Sequence, residues 1–188
     1  KAAREVQAKA DREKAGRERS EGERREAEER QGKELVLDLA RGVTMEFVRV
    51  PAGELLMGSD KTRDKDAFDN EIPQHKVMLP EYLMGKYPVT VRQFTAFVQG
   101  TGYRCRAEKD VQKKGEHPVT GVTWDDAVAF CQWASQRTGR QVRLPSEAEW
   151  EKAARGTDGR IYPWGDQAPD EKRCNFNRNV KDTTPVGR

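Results

Sequence analysis

At 188 residues with 36 % charged side chains, the chain has room for one domain and an appendage, and its mean hydropathy of -0.99 marks it as unusually polar. A formal charge of +3 gives no strong footprint for a polyanion, which argues against nucleic-acid binding, and no apolar run approaches the roughly 20 residues of a membrane span. Cys105, Cys131 and Cys174 have no C-x-x-C spacing and only His75 and His117 to join them, which argues against zinc; an odd count also closes no disulfide framework. The chain opens on Lys1 without a signal-peptide pattern and reads as a piece of something longer, so missing targeting information excludes nothing.

Residues 1–34 differ from the rest. Twenty-one of them are charged, 11 basic and 10 acidic, so the segment is a polyampholyte and not a basic patch. Glu5 with Lys9, Glu13 with Arg17, Glu21 with Arg25 and Glu26 with Arg30 are spaced to pair on a helix, each pair adding about 0.2–0.5 kcal/mol. Val6 is the one large aliphatic residue, so the apolar a and d positions of a coiled-coil seam are missing, and Gly16, Gly22 and Gly32 weaken a helix. The expectation is a solvated, partly helical spacer; the alternative is the frayed end of a longer coiled coil.

From residue 35 the pattern is that of a packed domain. Leu35 to Leu39 is a short apolar run, and Met45 to Val50 alternates as a strand with Met45 and Phe47 on one side. Pro51-Ala52-Gly53 reads as a turn into a second strand, Glu54 to Met57, giving an expected hairpin. Gly58 to Asn70 is a charged surface loop, His75 to Leu79 a strand ended by Pro80, and Tyr82 to Lys86 an extended path. Thr90 with Gln93 forms a capping box for a helix whose apolar face is Val91, Phe94, Phe97 and Val98, with Gly100 as its stop. Gly102 to Gly115 reads as loop, and both histidines read as hydrogen-bonded structural residues.

Two more helices follow, each with its own start. Thr123 precedes Asp126 by three residues and Ser146 precedes Glu149 by three, both capping boxes. In the first helix Trp124, Ala127, Val128, Cys131 and Ala134 form one apolar stripe, with Gly139 suited to a left-handed cap. In the second Trp150, Ala153 and Ala154 share a side, and the helix ends at Gly156. Val142 to Pro145 between them is a strand-like connector, and Pro145 sharpens the new start. The tail, 157–188, is rich in Gly, Pro, Asp and Asn, with an aromatic-anchored turn at Tyr162-Pro163-Trp164-Gly165-Asp166. Irregular chain of this length needs a scaffold, a metal or a function to order it, and Asp170, Asn175 and Asp182 supply oxygen donors of the kind calcium takes.

Six pieces in register give a more specific reading: M-E-F-V-R-V-P-A-G-E-L-L-M-G-S from Met45, E-I-P-Q-H-K-V from Glu71, Y-P-V-T from Tyr87, H-P-V from His117, the W-D-D-A … R-L-P-S-E-A-E-W-E-K-A-A-R-G helix pair, and Y-P-W-G-D from Tyr162. Together they resemble the formylglycine-generating enzyme, or sulfatase-modifying-factor, family over roughly Met45 to Arg188. The resemblance implies an α+β, C-type-lectin-like fold, here its N-terminal part only (35–188) behind the charged spacer (1–34). It implies copper chemistry with molecular oxygen in the family's active members, through two cysteines in a C-terminal half not present in this chain; copper is therefore expected only if that half carries the pair. No catalytic residue is assigned to Cys105, Cys131 or Cys174, and Cys131 matches a position that is a structural cysteine in some members. The resemblance further implies a structural calcium held by Asn175, the carbonyl of Phe176 and, less directly, Asp182.

For function, the expectation is a recognition or regulatory module of a larger protein, with a protein or peptide ligand and with the missing C-terminal half of the same domain as a partner. The alternative is part of a copper- and oxygen-dependent oxidase converting a protein cysteine to formylglycine in sulfatases. A related iron-dependent sulfoxide synthase would need an upstream histidine-rich iron site, which the spacer lacks. Large apolar side chains are expected to stand exposed where the missing half packs.

Overall fold

A computed structural model describes residues 34–107, 109–177 and 179–187. The chain divides into two units, 1–35 and 36–188; the expected spacer falls almost wholly outside the described residues, and the second unit is the domain described below.

The domain is mixed α+β. Strands β1 (Glu34–Ala40), β2 (Val43–Val50) and β5 (Tyr82–Gly85) form one sheet in the order β1-β2-β5, while β3 (Gly53–Met57) and β4 (His75–Leu79) form a second. β5 runs antiparallel to β2 with Phe47 opposite Gly85 and Val50 opposite Tyr82; β4 runs antiparallel to β3 with Leu55 opposite Val77. The alternation in β1 and β2 is that of strands with one covered face, burying Leu37, Leu39, Met45 and Phe47.

The expected hairpin of Met45–Val50 with Glu54–Met57 is not made: the two strands belong to different sheets. Both favoured two-residue hairpin loops need positive φ at the first central residue, and Pro51 is locked at negative φ. The chain instead swings away at Gly53, whose φ is 141°, and each strand pairs with a later one.

Among the described residues four α-helices follow: α1 (Val91–Thr101), a single turn α2 (Val111–Lys114), α3 (Trp124–Thr138) and α4 (Glu147–Arg155). All three expected capping boxes are formed, at Thr90 with Gln93, Thr123 with Asp126 and Ser146 with Glu149. α1 runs past Gly100 and is capped in the left-handed region at Gly102, φ 71°; α3 is capped at Gly139, φ 66°, as its sequence indicates. α2 breaks up what reads as continuous loop between Gly102 and Gly115, and Val142–Pro145 joins no strand.

The core is an aromatic cluster between α1 and α3. Phe94 stacks on Phe130 with centroids 5.8 Å apart, Phe97 meets Phe130 edge-on at 6.0 Å, and Trp133 lies 5.7 Å from both Phe97 and Phe130. Tyr103 closes it 5.0 Å from Phe97. The stripe expected from α3 is accordingly rotated. The helix buries Asp126, Phe130, Trp133 and Ala134, and Trp124 stands 71 % exposed. Burying two large aromatic rings gains more than burying Ala127, Val128 and Cys131.

Candidate functional site

Two features of the domain are candidate sites: the irregular tail, and the loop before β4 with its exposed apolar side chains.

The tail is built up by local hydrogen bonds. Tyr162 and Gly165 pair across a turn, and the Tyr162 and Trp164 rings stack at 5.3 Å. Arg63 donates to the Asp166 carboxylate at 2.7 Å and to the Gly159 carbonyl at 3.1 Å, fixing this turn to the loop before β4. Arg160 faces Asp158 and holds that carboxyl down at about 2.

Farther on, the three residues expected to bind metal lie on one returning loop, bent at Asn177 (φ 50°) and Lys181 (φ 62°). The Asn175 amide donates to the Asp182 carbonyl at 2.8 Å, bringing those two residues together. The Phe176 carbonyl turns instead to the Asn179 N–H at 3.0 Å. The Asp182 carboxylate accepts from the Thr183 N–H at 2.7 Å, and the Lys114 ammonium lies 3.1 Å from both its oxygens; these contacts, the amide first, hold it below the usual carboxylate range. The donors are oxygens, the class calcium prefers, but an ammonium from α2 already stands at the carboxylate. Among the described residues no cluster of three or more His, Cys, Asp or Glu side chains is placed to hold a metal ion.

The sequence did not point to what anchors this loop. His117 Nδ1 meets Thr183 Oγ1 at 2.8 Å, and the Val186 N–H donates to the Glu116 carbonyl at 2.8 Å. His117 is thus the structural residue it reads as, and His75 likewise bonds through Nδ1 to the Pro73 carbonyl at 3.0 Å. The three cysteines form no disulfide. They sit on different elements, and burial pushes the Cys131 thiol up, away from the reactive thiolate.

The apolar display centres on the loop from Gly58 to Pro73. Its stem is tight: the Ser59 N–H donates to the Glu71 carbonyl at 2.7 Å, and a Cβ at Gly58 (φ 83°) would lie 2.5 Å from that same carbonyl oxygen, so glycine is required there. Asp60 caps Thr62, Ala67 is buried, and the Phe68 N–H donates to the Glu71 carboxylate at 3.3 Å. The outcome is Phe68 held on ordered backbone yet 71 % exposed. Around it, residues 60–71 carry five acids and three bases.

The family model described as sulfatase-modifying factor enzyme 1-like domain matches residues 33–188. The chain belongs to this family. It is 33 % identical to a formylglycine-generating enzyme of Thermomonospora curvata, with 74 % of this chain and 58 % of that protein covered. It is 34 % identical to the serine/threonine-protein kinase Pkn1 of Chlamydia trachomatis, with 75 % of this chain and 24 % of that protein covered. Among solved structures it is similar to PvdO from Pseudomonas aeruginosa, at a TM-score of 0.58 and 24 % identity, with 73 % of this chain and 56 % of that one covered, a likeness of fold. The chain spans about half the length of the curated formylglycine-generating enzymes it matches. Among the described residues no helix is long and apolar enough to cross a membrane.

Proposed function

We propose that this chain is the N-terminal part of a formylglycine-generating-enzyme-like domain of C-type-lectin-like architecture. It serves a larger protein as a recognition or regulatory module. Residues 1–34 act as its charged spacer, and the C-terminal half of the same domain completes the fold. The observation that carries the recognition role is Phe68. An aromatic side chain left in water on a loop tied down by the Ser59, Glu71 and Asp60 hydrogen bonds is a preorganised contact for a protein or peptide. The surplus of acids around it favours a partner with basic and apolar residues side by side. The kinase relative supports modular use, since there a match of this kind accounts for 24 % of a protein with another named activity.

The test is selection from a displayed peptide library on the folded domain. The expected result is enrichment of peptides joining Lys or Arg to large apolar residues, with binding lost in Phe68→Ala. Enrichment indifferent to Phe68 overturns the reading.

The second reading is a copper- and oxygen-dependent oxidase of cysteine in sulfatases, completed by the C-terminal half; the family match and the Thermomonospora relative favour it. Copper would then be held by cysteines of that half. Incubating the complete gene product with copper, oxygen and a sulfatase-type cysteine peptide, and trapping any aldehyde, separates the two: aldehyde formation establishes the oxidase.

A structural calcium at Asn175, the Phe176 carbonyl and Asp182 belongs to either reading. Oxygen donors on one returning loop support it. The ion would have to displace the Lys114 ammonium, and its role would be to order the tail.

A further inference from the structure

The loop that carries Phe68 is tied to the rest of the domain at two places, and the second is a single side chain. At the stem, the Glu151 carboxylate accepts the Gly58 N–H at 2.8 Å, Arg155 donates to the Gly58 carbonyl at 3.3 Å, and the Ser59 N–H meets the Glu71 carbonyl. Beyond the stem the loop bonds to itself. Thr62 leans on Asp60, Asp66 on Asp64, and Lys61 pairs with Asp69 at 2.8 Å. Among the described residues, every hydrogen bond or ion pair that carries residues 60–70 outside the loop comes from Arg63. Apolar packing adds little, since the buried apolar side chain of this stretch is Ala67, one methyl group. A crevice lined by Asp60, Asp64, Gly159 and Ile161 separates the loop from the tail, and Arg63 reaches across it. What it reaches is itself fixed. The Asp166 carboxylate accepts the Ile161 N–H on one oxygen at 2.9 Å and Arg63 on the other at 2.7 Å, while Tyr162 and Gly165 exchange backbone bonds at 2.9 and 3.0 Å. A planar guanidinium with one nitrogen on a carboxylate and the other on the Gly159 carbonyl is held in orientation as well as in place.

We infer that Arg63 is the positioning residue of the Phe68 site: it braces the loop against the Tyr162–Asp166 turn and keeps Phe68 in the orientation that a peptide meets. This rests on the proposed recognition role of Phe68. A brace that does not touch the peptide acts by raising the fraction of binding-competent loop. Its loss therefore slows association and leaves the bound complex, and hence dissociation, unchanged. By linkage, an occupied Phe68 site in turn steadies the Tyr162–Asp166 turn.

Binding kinetics on the 188-residue chain test this, with a peptide joining Lys or Arg to large apolar residues taken from the library selection. Arg63→Gln should lower kon about five- to tenfold with koff unchanged. Arg63→Lys should recover part of that loss, and Phe68→Ala should raise koff. Without peptide, hydrogen exchange in Arg63→Gln should quicken at 60–70 and 159–166 and not in α1; bound peptide should slow it at 159–166 in the unaltered chain. A raised koff in Arg63→Gln makes Arg63 a contact of the peptide and overturns the positioning role. Exchange quickened throughout the domain makes it a general support of the fold and overturns the role as well. Binding that is lost in Phe68→Ala but unchanged in Arg63→Gln overturns this inference alone. A selection that yields no peptide dependent on Phe68 overturns the recognition role and this inference with it.

Discussion

Helices α1 and α3 on one side and α4 on the other are started by the same device, a hydroxyl cap with a glutamine or acid three residues on, yet they are held by opposite physics. α1 and α3 meet through Phe94, Phe97, Phe130 and Trp133, with ring centroids 5.3 to 6.0 Å apart. α4 is pinned at the start of β3 through the Lys152 ammonium on the Pro51 and Gly53 carbonyls, and its own start is tied by the Arg143–Glu149 pair, with its tryptophan in water. An apolar stripe in sequence therefore does not by itself say which face the domain covers; in α4 it covers the other one.

The contrast breaks most visibly at the aromatic cluster. Phe130→Ala removes a ring that touches three others and should cost about 3–5 kcal/mol, read as a lower urea midpoint at unchanged slope. On the other side Lys152→Met keeps volume and apolar stem but strands the Pro51 and Gly53 carbonyls. It should cost about 2–3 kcal/mol, and hydrogen exchange should rise first at Gly53–Met57. An equal loss in Lys152→Met and in Phe130→Ala would show the polar latch to be as deep a support as the core.

Acid sharpens the same comparison. The Arg143 guanidinium first, then the Ser146 N–H and hydroxyl cap, hold Glu149 at about 2 against burial, which raises it. A depressed carboxylate contributes stability that is full above its unfolded value and is lost as pH falls toward the folded one. The latch should therefore weaken between about pH 4.5 and about pH 2. With Arg143 half in solvent, the loss is of order 2 kcal/mol. In Glu149→Gln the dependence of the urea midpoint on pH over that window should flatten, while in Phe130→Ala it should not.

Smaller effects belong to the exposed parts. Trp150→Ser in the 188-residue chain should change stability by about 0.5 kcal/mol or less, as for other surface positions; a loss comparable to Phe130→Ala would mean that the stripe is already buried. Chelation, if calcium orders the tail, should speed cleavage between Cys174 and Gly187 and leave the α1–α3 region untouched. In Asp182→Asn cleavage there should be fast with or without chelator. Unchanged cleavage on chelation would leave Lys114 as the cation that holds Asp182.

Much of the domain was legible in the sequence because it is encoded locally. The caps at Thr90, Thr123 and Ser146, the cap at Gly139 and the strand at His75 to Leu79 each depend on residues within one turn or one pleat. So do the six motifs that marked the family. The anchors of the tail were less legible: Lys114, His117 and Thr183 lie 66 to 68 residues apart in the pairs they form, and no local pattern joins them. Nor did anything in the charged stretch from Gly58 to Asn70 announce that Phe68 would be held out on ordered backbone.

The sequence by itself determined where α1, α3 and α4 start, where α3 and α4 stop and which family the chain resembles, since caps, glycines and motif words act over a few residues. Tertiary structure alone decided the partners. Pro51 at the turn and Lys152 from α4 part β2 from β3. The volume of Phe130 and Trp133 rotates α3 away from its expected stripe. The inward latches of Glu149 and Lys152 leave Trp150 facing out. Each is a competition between contacts distant in sequence, settled by which group has the larger ring or the unmet hydrogen bond.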